Sequence, residues 1–300
     1  MILVAGGTGR LGRIVVQRLL TAGEQVRVLS RRPGGAGNPL SPETVVGDVR
    51  DPAAVARAVA GARVVISAVS AFGMKGVTPR QVDLDGNVNL IAAAEGAGVE
   101  RFVLVSVRGA AARHPMELAR MKYVAEQRLT RSRLAWAILR PSTFTETFQQ
   151  ILCAPLLSNG KTVVFGRASN PVNFVSADDV ARFVELAVLT DQLQGAITDL
   201  GGPQNLSLVQ FVETFAAALG VVSSIRHIPR AMLWLLSWLA RPFNRTFARM
   251  ARAGVLMDTT DMAFDPVALA QRYPQIRLTP ASEVAVRDYA RLVPAKGVTP

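Results

Sequence analysis

The first twelve residues, MILVAGGTGRLG, limit the fold more than any other stretch. Ile2 to Ala5 is a short apolar run without charge, as expected of a strand buried on both faces in a parallel sheet. Glycines stand at 6, 7, 9 and 12, and an amphipathic run from Arg13 to Leu20 follows. The order is strand, glycine turn, helix. It satisfies G-x-G-x-x-G through Gly7, Gly9 and Gly12, and G-x-x-G-x-x-G through Gly6, Gly9 and Gly12, with Thr8, Arg10 and Leu11 as the intervening loop residues. Glycine serves a tight turn, close approach of backbone N–H groups to a pyrophosphate, and close packing of helix on strand. The helix N-terminus adds partial positive charge where the phosphates would lie.

The chain continues in the same idiom. Runs at 25–30, 44–49, 63–69, 101–106 and 135–139 read as further strands, separated by helices at 52 onward, 79–97 and 115–131. Asp51-Pro52 is an N-cap followed by proline at the first helical position. Alternation of this kind implies right-handed βαβ crossovers, hence an α/β, Rossmann-type doubly wound parallel sheet. After Pro141 the alternation loosens. Residues 1–145 are read as the dinucleotide-binding core. Residues 146–300 are read as a small C-terminal, substrate-facing subregion that returns strand to the main sheet, so that the whole is one compact unit.

Bulk properties narrow the function classes. Cys153 is the only cysteine, and His114 and His227 are the only histidines. No metal site and no intrachain disulfide is expected, and a reducing, cytoplasmic setting fits. The net charge of +12 comes mostly from arginines scattered without a basic tail, so nucleic-acid binding is not expected. The core strand starts at residue 2, so no leader is expected before it. The apolar stretch AMLWLLSWLA at 231–240 is far short of the ~20 residues of a membrane span. With Phe243 it is read as helix packing around Pro242. A lid over an apolar pocket, or a membrane-surface contact flanked by Arg241, Arg245 and Arg249, is the other reading. His114 is read as a loop residue and His227 as packed.

Ligands in such sheets bind at the carboxyl ends of the strands. An NAD site usually places an acid about 20 residues past the glycines, on the ribose 2′-OH. That place holds Ser30, followed by Arg31 and Arg32. Guanidiniums match a phosphate, so NADP(H) is the expected cofactor, with Arg10 a second candidate for the 2′-phosphate. Asp48 either accepts from the adenine amino group or caps a turn, and Val49 packs on the ring. Ala68, Val69 and Ser70 end strand four and line the adenosine side. Lys122, one of only four lysines, lies on the helix between strands five and six, with Glu126 one turn on.

The motifs GGTGRLG, GDV at 47–49, KYVAEQ at 122–127, ILRPSTF at 138–144 and NFVSADDVARF at 173–183 resemble the atypical short-chain dehydrogenase/reductase superfamily. Within it the chain is most similar to the NmrA-like and isoflavone-reductase-like NAD(P)-binding proteins, over roughly residues 1–220. The resemblance implies that Lys122 bonds the nicotinamide ribose, as the lysine that in some members serves as acid/base. It also implies that Pro141, Ser142, Thr143 and Phe144 lie along the nicotinamide, that Ser106 closes strand five beside the cofactor, and that Asp178 and Asp179 are structural. One departure matters. The tyrosine of Tyr-x-x-x-Lys is Leu118 here, and Tyr123 points elsewhere. The expected function is an NADPH-dependent reductase of an apolar electrophile (quinone, enone or activated carbonyl), in a monomer or homodimer. The alternatives are a non-catalytic NADP(H) sensor and, more weakly, a scaffold subunit of a membrane-associated complex.

Overall fold

All four side chains of β1 (Ile2–Ala5) are completely buried. Uncharged strands with no solvated face belong in the middle of a parallel sheet, and β1 sits there. It pairs in parallel with β2 (Val26–Ser30) on one side and β4 (Val64–Ser67) on the other. The computed structural model describes residues 1–33, 42–239 and 245–292. They fall into two compact units: Met1–Pro141 with Val180–Leu200, and Ser142–Asp179 with Gly201–Pro300.

The first unit holds a seven-stranded sheet in the order β10-β6-β5-β4-β1-β2-β3, every pairing parallel. Its other strands are β3 (Glu43–Val46), β5 (Arg101–Val105), β6 (Ala135–Pro141) and β10 (Ile197–Leu200). The central strands β1 and β4 are buried throughout, whereas edge strand β3 exposes Glu43 and Val46 and β10 alternates exposed and buried. Helices α1 (Arg10–Thr21), α2 (Pro52–Val59), α3 (Gly86–Gly96), α4 (Glu117–Thr130) and α7 (Ala177–Leu189) complete the crossovers. Asp51 caps α2 by accepting from the Ala53 N–H. Arg101, at the start of β5, donates to the carbonyls of Ala187, Val188 and Thr190. This cation satisfies the carboxyl end of α7 and complements its dipole. The architecture is the doubly wound sheet that the alternation predicts.

The helix expected over 79–97 is interrupted. Arg80–Asp85 is π-helical and runs into α3, and the Gly86 N–H reaches back five residues to the Gln81 carbonyl. The side chain of Asn87 then takes up the Asp83 carbonyl at 2.8 Å. The wider turn brings Asp83 and Asn87, both fully buried, to one side.

The second unit contains β7 (Thr143–Phe144), α5 (Thr145–Phe148), a π-helical turn at Gln149–Cys153, α6 (Ala154–Asn159), β8 (Lys161–Phe165) and β9 (Val172–Val175). After β10 of the first unit come β11 (Asn205–Leu206), α8 (Leu208–Leu219), β12 (Ser224–Ile228), α9 (Arg230–Leu239), α10 (Arg245–Thr259), α11 (Pro266–Arg272) and α12 (Ala281–Leu292). Its strands form a three-stranded set, β11-β9-β7, and a parallel pair, β12-β8. The core centres on Phe148, Phe174 and Phe211, whose rings meet at 5.5 and 4.4 Å. Asp179 accepts from both the N–H and the hydroxyl of Thr279, each at 2.7 Å, a structural use of the second aspartate in the D-D-V-A turn.

Cys153 is buried in this core, and burial pushes its thiol up to about 12. Because the thiolate is the nucleophile, the native protein is expected to show no reaction with a thiol-specific disulfide reagent. One equivalent should react once denaturant is added, and fast labelling of the native state would contradict this packing.

Two expectations need correction. His227 is exposed on β12, its Nδ1 lying 3.1 Å from the Gly166 carbonyl, so it is not packed. The apolar stretch of α9 is not packed either: Trp234 and Trp238 are 64% and 61% exposed, and Leu235, Leu239 and Met232 are about half exposed. Among the described side chains of this helix, only Leu233 is fully turned inward. Helical spacing cannot tell an apolar face that meets a neighbour from one that has none. Arg241, Pro242 and Phe243 lie outside the described residues.

Candidate functional site

From β1 the chain winds to β2 and β3 in one direction, and from β4 to β5 and β6 in the other. The reversal falls between β1 and β4, where doubly wound sheets bind their ligands beyond the carboxyl ends. The glycine turn lies there. Gly6 has φ +85°, and a Cβ on it would stand 2.6 Å from the Ala68 carbonyl oxygen at the end of β4. A Cβ on Gly12 would stand 2.1 Å from the Gly6 carbonyl oxygen. Gly9 closes the turn with its N–H on that same oxygen at 2.9 Å, and caps α1 with no side chain of its own. The first-turn N–H groups of a helix have no intrahelical partner. Here nothing bulkier than glycine stands at the cap, the geometry of an anion site. Thr8, Gly9 and Arg10 are exposed, Leu11 is half-buried, and Gly7 is buried against Val28.

At the end of β2, the buried hydroxyl of Ser30 accepts from the Arg32 N–H at 3.1 Å. That turn leaves Arg31 and Arg32 exposed. The backbone of β2 also holds the next strand's exit, with the Gly47 N–H on the Ser30 carbonyl at 2.8 Å. Asp48 is therefore close enough to feel Arg31, but its carboxylate is engaged by Arg50. It accepts from the Arg50 N–H and, bidentately, from the guanidinium, all at 2.9 Å. Those bonds hold the Asp48 carboxyl below the usual carboxylate range, with Arg31 adding a smaller effect in the same direction. Of the two readings of Asp48, the turn-capping one describes its present bonds. Arg50, which sequence reasoning passed over, makes a third guanidinium at this edge. Val49 packs against Gly86, and its carbonyl accepts from Asn89.

The end of β4 is tied to α4. Ala68 extends the sheet by donating to the Ala5 carbonyl, and the hydroxyl of Ser70 accepts from the Phe72 N–H. The ammonium of Lys122, 2% exposed, donates to the carbonyls of Val69 at 2.8 Å and Val105 at 2.9 Å. Asp83 Oδ1 faces it at 3.5 Å, while Asp83 Oδ2 accepts from the Ala71 N–H. Three acceptors thus surround the three N–H bonds of the ammonium. Burial is the largest influence on both charges, pushing Lys122 below the lysine range and Asp83 above the carboxylate range. Lys122 and Glu126, i and i+4, are both buried but use different partners. Glu126 receives the Ser106 hydroxyl and, at 2.9 and 2.5 Å, the Arg140 guanidinium. The hydroxyl of Ser106 is therefore committed to Glu126, and its N–H bonds the Leu139 carbonyl. Asn87 completes the buried set by accepting from Ser67 at 2.6 Å.

The loop between β5 and α4 is held by His114, whose Nδ1 accepts from the Met116 N–H at the start of α4. Burial shifts that imidazole below its usual range. Pro141 ends β6, and its carbonyl accepts from the Arg108 N–H. Ser142, Thr143 and Phe144 open the second unit. There Ser142 donates to Asn173 Oδ1 at 2.8 Å, and Thr143 and Phe144 pair with Phe174 and Val175 of β9.

A parallel doubly wound sheet, a glycine cradle and an uncapped helix at its switch point define an NAD(P)H-binding protein. The chain belongs to the NAD(P)H-binding family, whose model matches residues 6–192. Among curated proteins it is similar to the photosystem II assembly factor Ycf39 of Synechocystis, 27% identical over 293 residues, 96% of this chain and 89% of that one. It is also similar to an NAD(P)H azoreductase of Xenophilus azovorans, 28% identical over 222 residues, 73% and 74% of the two chains. Among solved structures, the NADPH complex of an NADPH-dependent quinone oxidoreductase from Escherichia coli matches with a TM-score of 0.77 at 21% identity, covering 96% of this chain and 100% of that one. The fold is thus that of an NAD(P)H-binding protein, shared with this quinone oxidoreductase.

Proposed function

We propose that this chain is an NADPH-dependent reductase acting on an apolar electrophile of the quinone, enone or azo class. The observation that carries the reading is the state of the buried polar groups beside β4 and β5. Lys122 is surrounded by three acceptors, Ser106 is bonded to Glu126, and Leu118 replaces the tyrosine of the usual proton-donating set. No ready proton donor is left among them. A bound nicotinamide supplies hydride, and an acceptor that becomes a stable anion, such as a quinone, then takes its proton from water. Carbonyls of simple ketones need a donor in the transition state and fit poorly. Two relatives with azoreductase and quinone oxidoreductase names act on electrophiles of this kind. Lys122 serves in this reading as a positioning residue, holding the ends of β4 and β5, which line the cofactor cradle.

The preference for NADPH rests on Arg31 and Arg32 at the end of β2, where an NAD site carries an acid. Calorimetric titration is expected to show NADPH binding tighter than NADH by roughly tenfold or more, the worth of one charge-assisted pair with the 2′-phosphate. Arg31→Ala with Arg32→Ala should erase most of that difference and leave NADH affinity unchanged. Equal affinities in the unaltered protein would refute the assignment. Turnover is tested by NADPH oxidation with quinones, enones, azo compounds and aldehydes. Oxidation by none of them, with NADPH still bound, supports the second reading, a nucleotide-binding regulatory or assembly protein. The same tied-up Lys122 and absent tyrosine favour that reading, and the assembly-factor name of the Synechocystis relative accords with it.

A further inference from the structure

Helix α9 is apolar around nearly its whole circumference, yet most of its described apolar side chains are exposed. Leu233 is buried, while Met232, Trp234, Leu235, Trp238 and Leu239 are 47–64% exposed. At about 100° per residue these five side chains span an arc of about 160°. Helix α10 packs beside it and adds Phe247 and Met250, which are also exposed. Single exposed apolar residues need no explanation, but a continuous patch of this size marks an interaction surface.

Charge says what kind. From Thr214 to Met257 the chain has six arginines (226, 230, 241, 245, 249 and 252) and no acidic residue. Arg226, Arg230 and Arg252 are exposed. A second copy of this chain would bring one such set of arginines against another, and the next acid, Asp258 of α10, is buried with Arg230 at 3.9 Å, so self-association through α9 is opposed by its own charge. An anionic surface answers both features. Tryptophan and leucine on one face, arginines in the same stretch of chain, and a helix of ten residues suit the boundary between headgroups and acyl chains. No described helix is long and apolar enough to cross a membrane, so the contact lies in the plane.

We infer that α9, with the adjoining face of α10, docks this protein on an anionic lipid surface. Insertion of Trp234 and Trp238 supplies the apolar part, and the arginines supply attraction to acidic headgroups. The docking needs no turnover and stands whether or not the reductase reading holds.

Flotation of the full chain with vesicles of phosphatidylglycerol and phosphatidylcholine, against vesicles of phosphatidylcholine alone, tests it. The protein should float with the first and stay behind with the second, and its tryptophan emission should shift to the blue on the acidic vesicles. Trp234→Ser with Trp238→Ser should abolish the shift and reduce binding by roughly tenfold or more. Arg249→Glu with Arg252→Glu should weaken binding to a similar degree, since each cation near an acidic surface contributes about 1 kcal/mol. Both variants should keep the NADPH affinity and Tm of the parent, which separates lost docking from lost folding. A parent protein that fails to float with acidic vesicles overturns the inference. So does a concentration-dependent dimer that the tryptophan substitutions dissolve, because the face then belongs to a second copy.

Discussion

Gly12→Ala is expected to lose NADPH binding and to lower Tm together. The added Cβ would lie 2.1 Å from the Gly6 carbonyl oxygen and 2.7 Å from the Gly7 Cα. Both are backbone atoms of the turn itself, so no rotamer change relieves the overlap. The helix must move off the strand, at a cost of about 3 kcal/mol. Moving it also withdraws the first-turn N–H groups from the pyrophosphate. Two charge-assisted hydrogen bonds lost correspond to about a hundredfold in affinity. Gly9→Ala separates the two effects. A Cβ there meets nothing nearer than the Gly6 oxygen at 3.2 Å, so Tm should change little. Its position at the exposed cap of α1 would still obstruct the phosphates, so affinity should fall. Calorimetry and thermal unfolding on both variants read the difference. A Gly12→Ala protein with the parent's Tm and NADPH affinity would falsify the cradle as described.

The second large effect is at Lys122. Lys122→Met removes the ammonium and leaves three buried acceptors facing a thioether: Asp83 Oδ1 and the carbonyls of Val69 and Val105. Breaking a buried pair from one side typically costs about 3–5 kcal/mol, most of it the penalty of the charge left behind. Burial already pushes Asp83 toward its neutral form and Lys122 toward its own. The pair is thus an expensive way to fill this space, kept in return for the position it gives β4 and β5. Lys122→Met combined with Asp83→Leu should therefore recover much of the lost stability. NADPH affinity should not recover with it, because nothing then ties the Val69 and Val105 carbonyls to α4. Urea denaturation of the two single variants and the double variant closes the cycle. A single Lys122→Met loss below about 1 kcal/mol would show that the ammonium is not the tie between these strands.

Much of this was legible in the chain. The apolar run at Ile2–Ala5, the glycine spacing after it and the regular return of strands dictate a doubly wound parallel sheet, because local patterns with only one packed solution need no tertiary information. The replacement of the strand-two acid by Ser30, Arg31 and Arg32 was equally plain, since its meaning depends on position along one βαβ unit. The partners of the buried charges were not plain. Lys122 and Glu126 stand one helical turn apart in the sequence, and the fold gives each a separate partner from another element, Asp83 and Arg140. A hint existed in Asp83 and Asn87, four apart beside the apolar set Val88, Ile91 and Ala92, but a π-helical turn decides which way they face.

What the sequence determined by itself is the opening glycine turn. Short-range sterics demand glycine there, and nothing distant can alter that demand. What only the tertiary structure decided is where each buried charge finds its partner and which apolar face stays exposed. Lys122 is withdrawn from solvent by strands far from it in sequence, and α9 keeps both tryptophans more than half exposed. Burial is a property of neighbours brought together by the fold, and no periodicity along one helix records who those neighbours are.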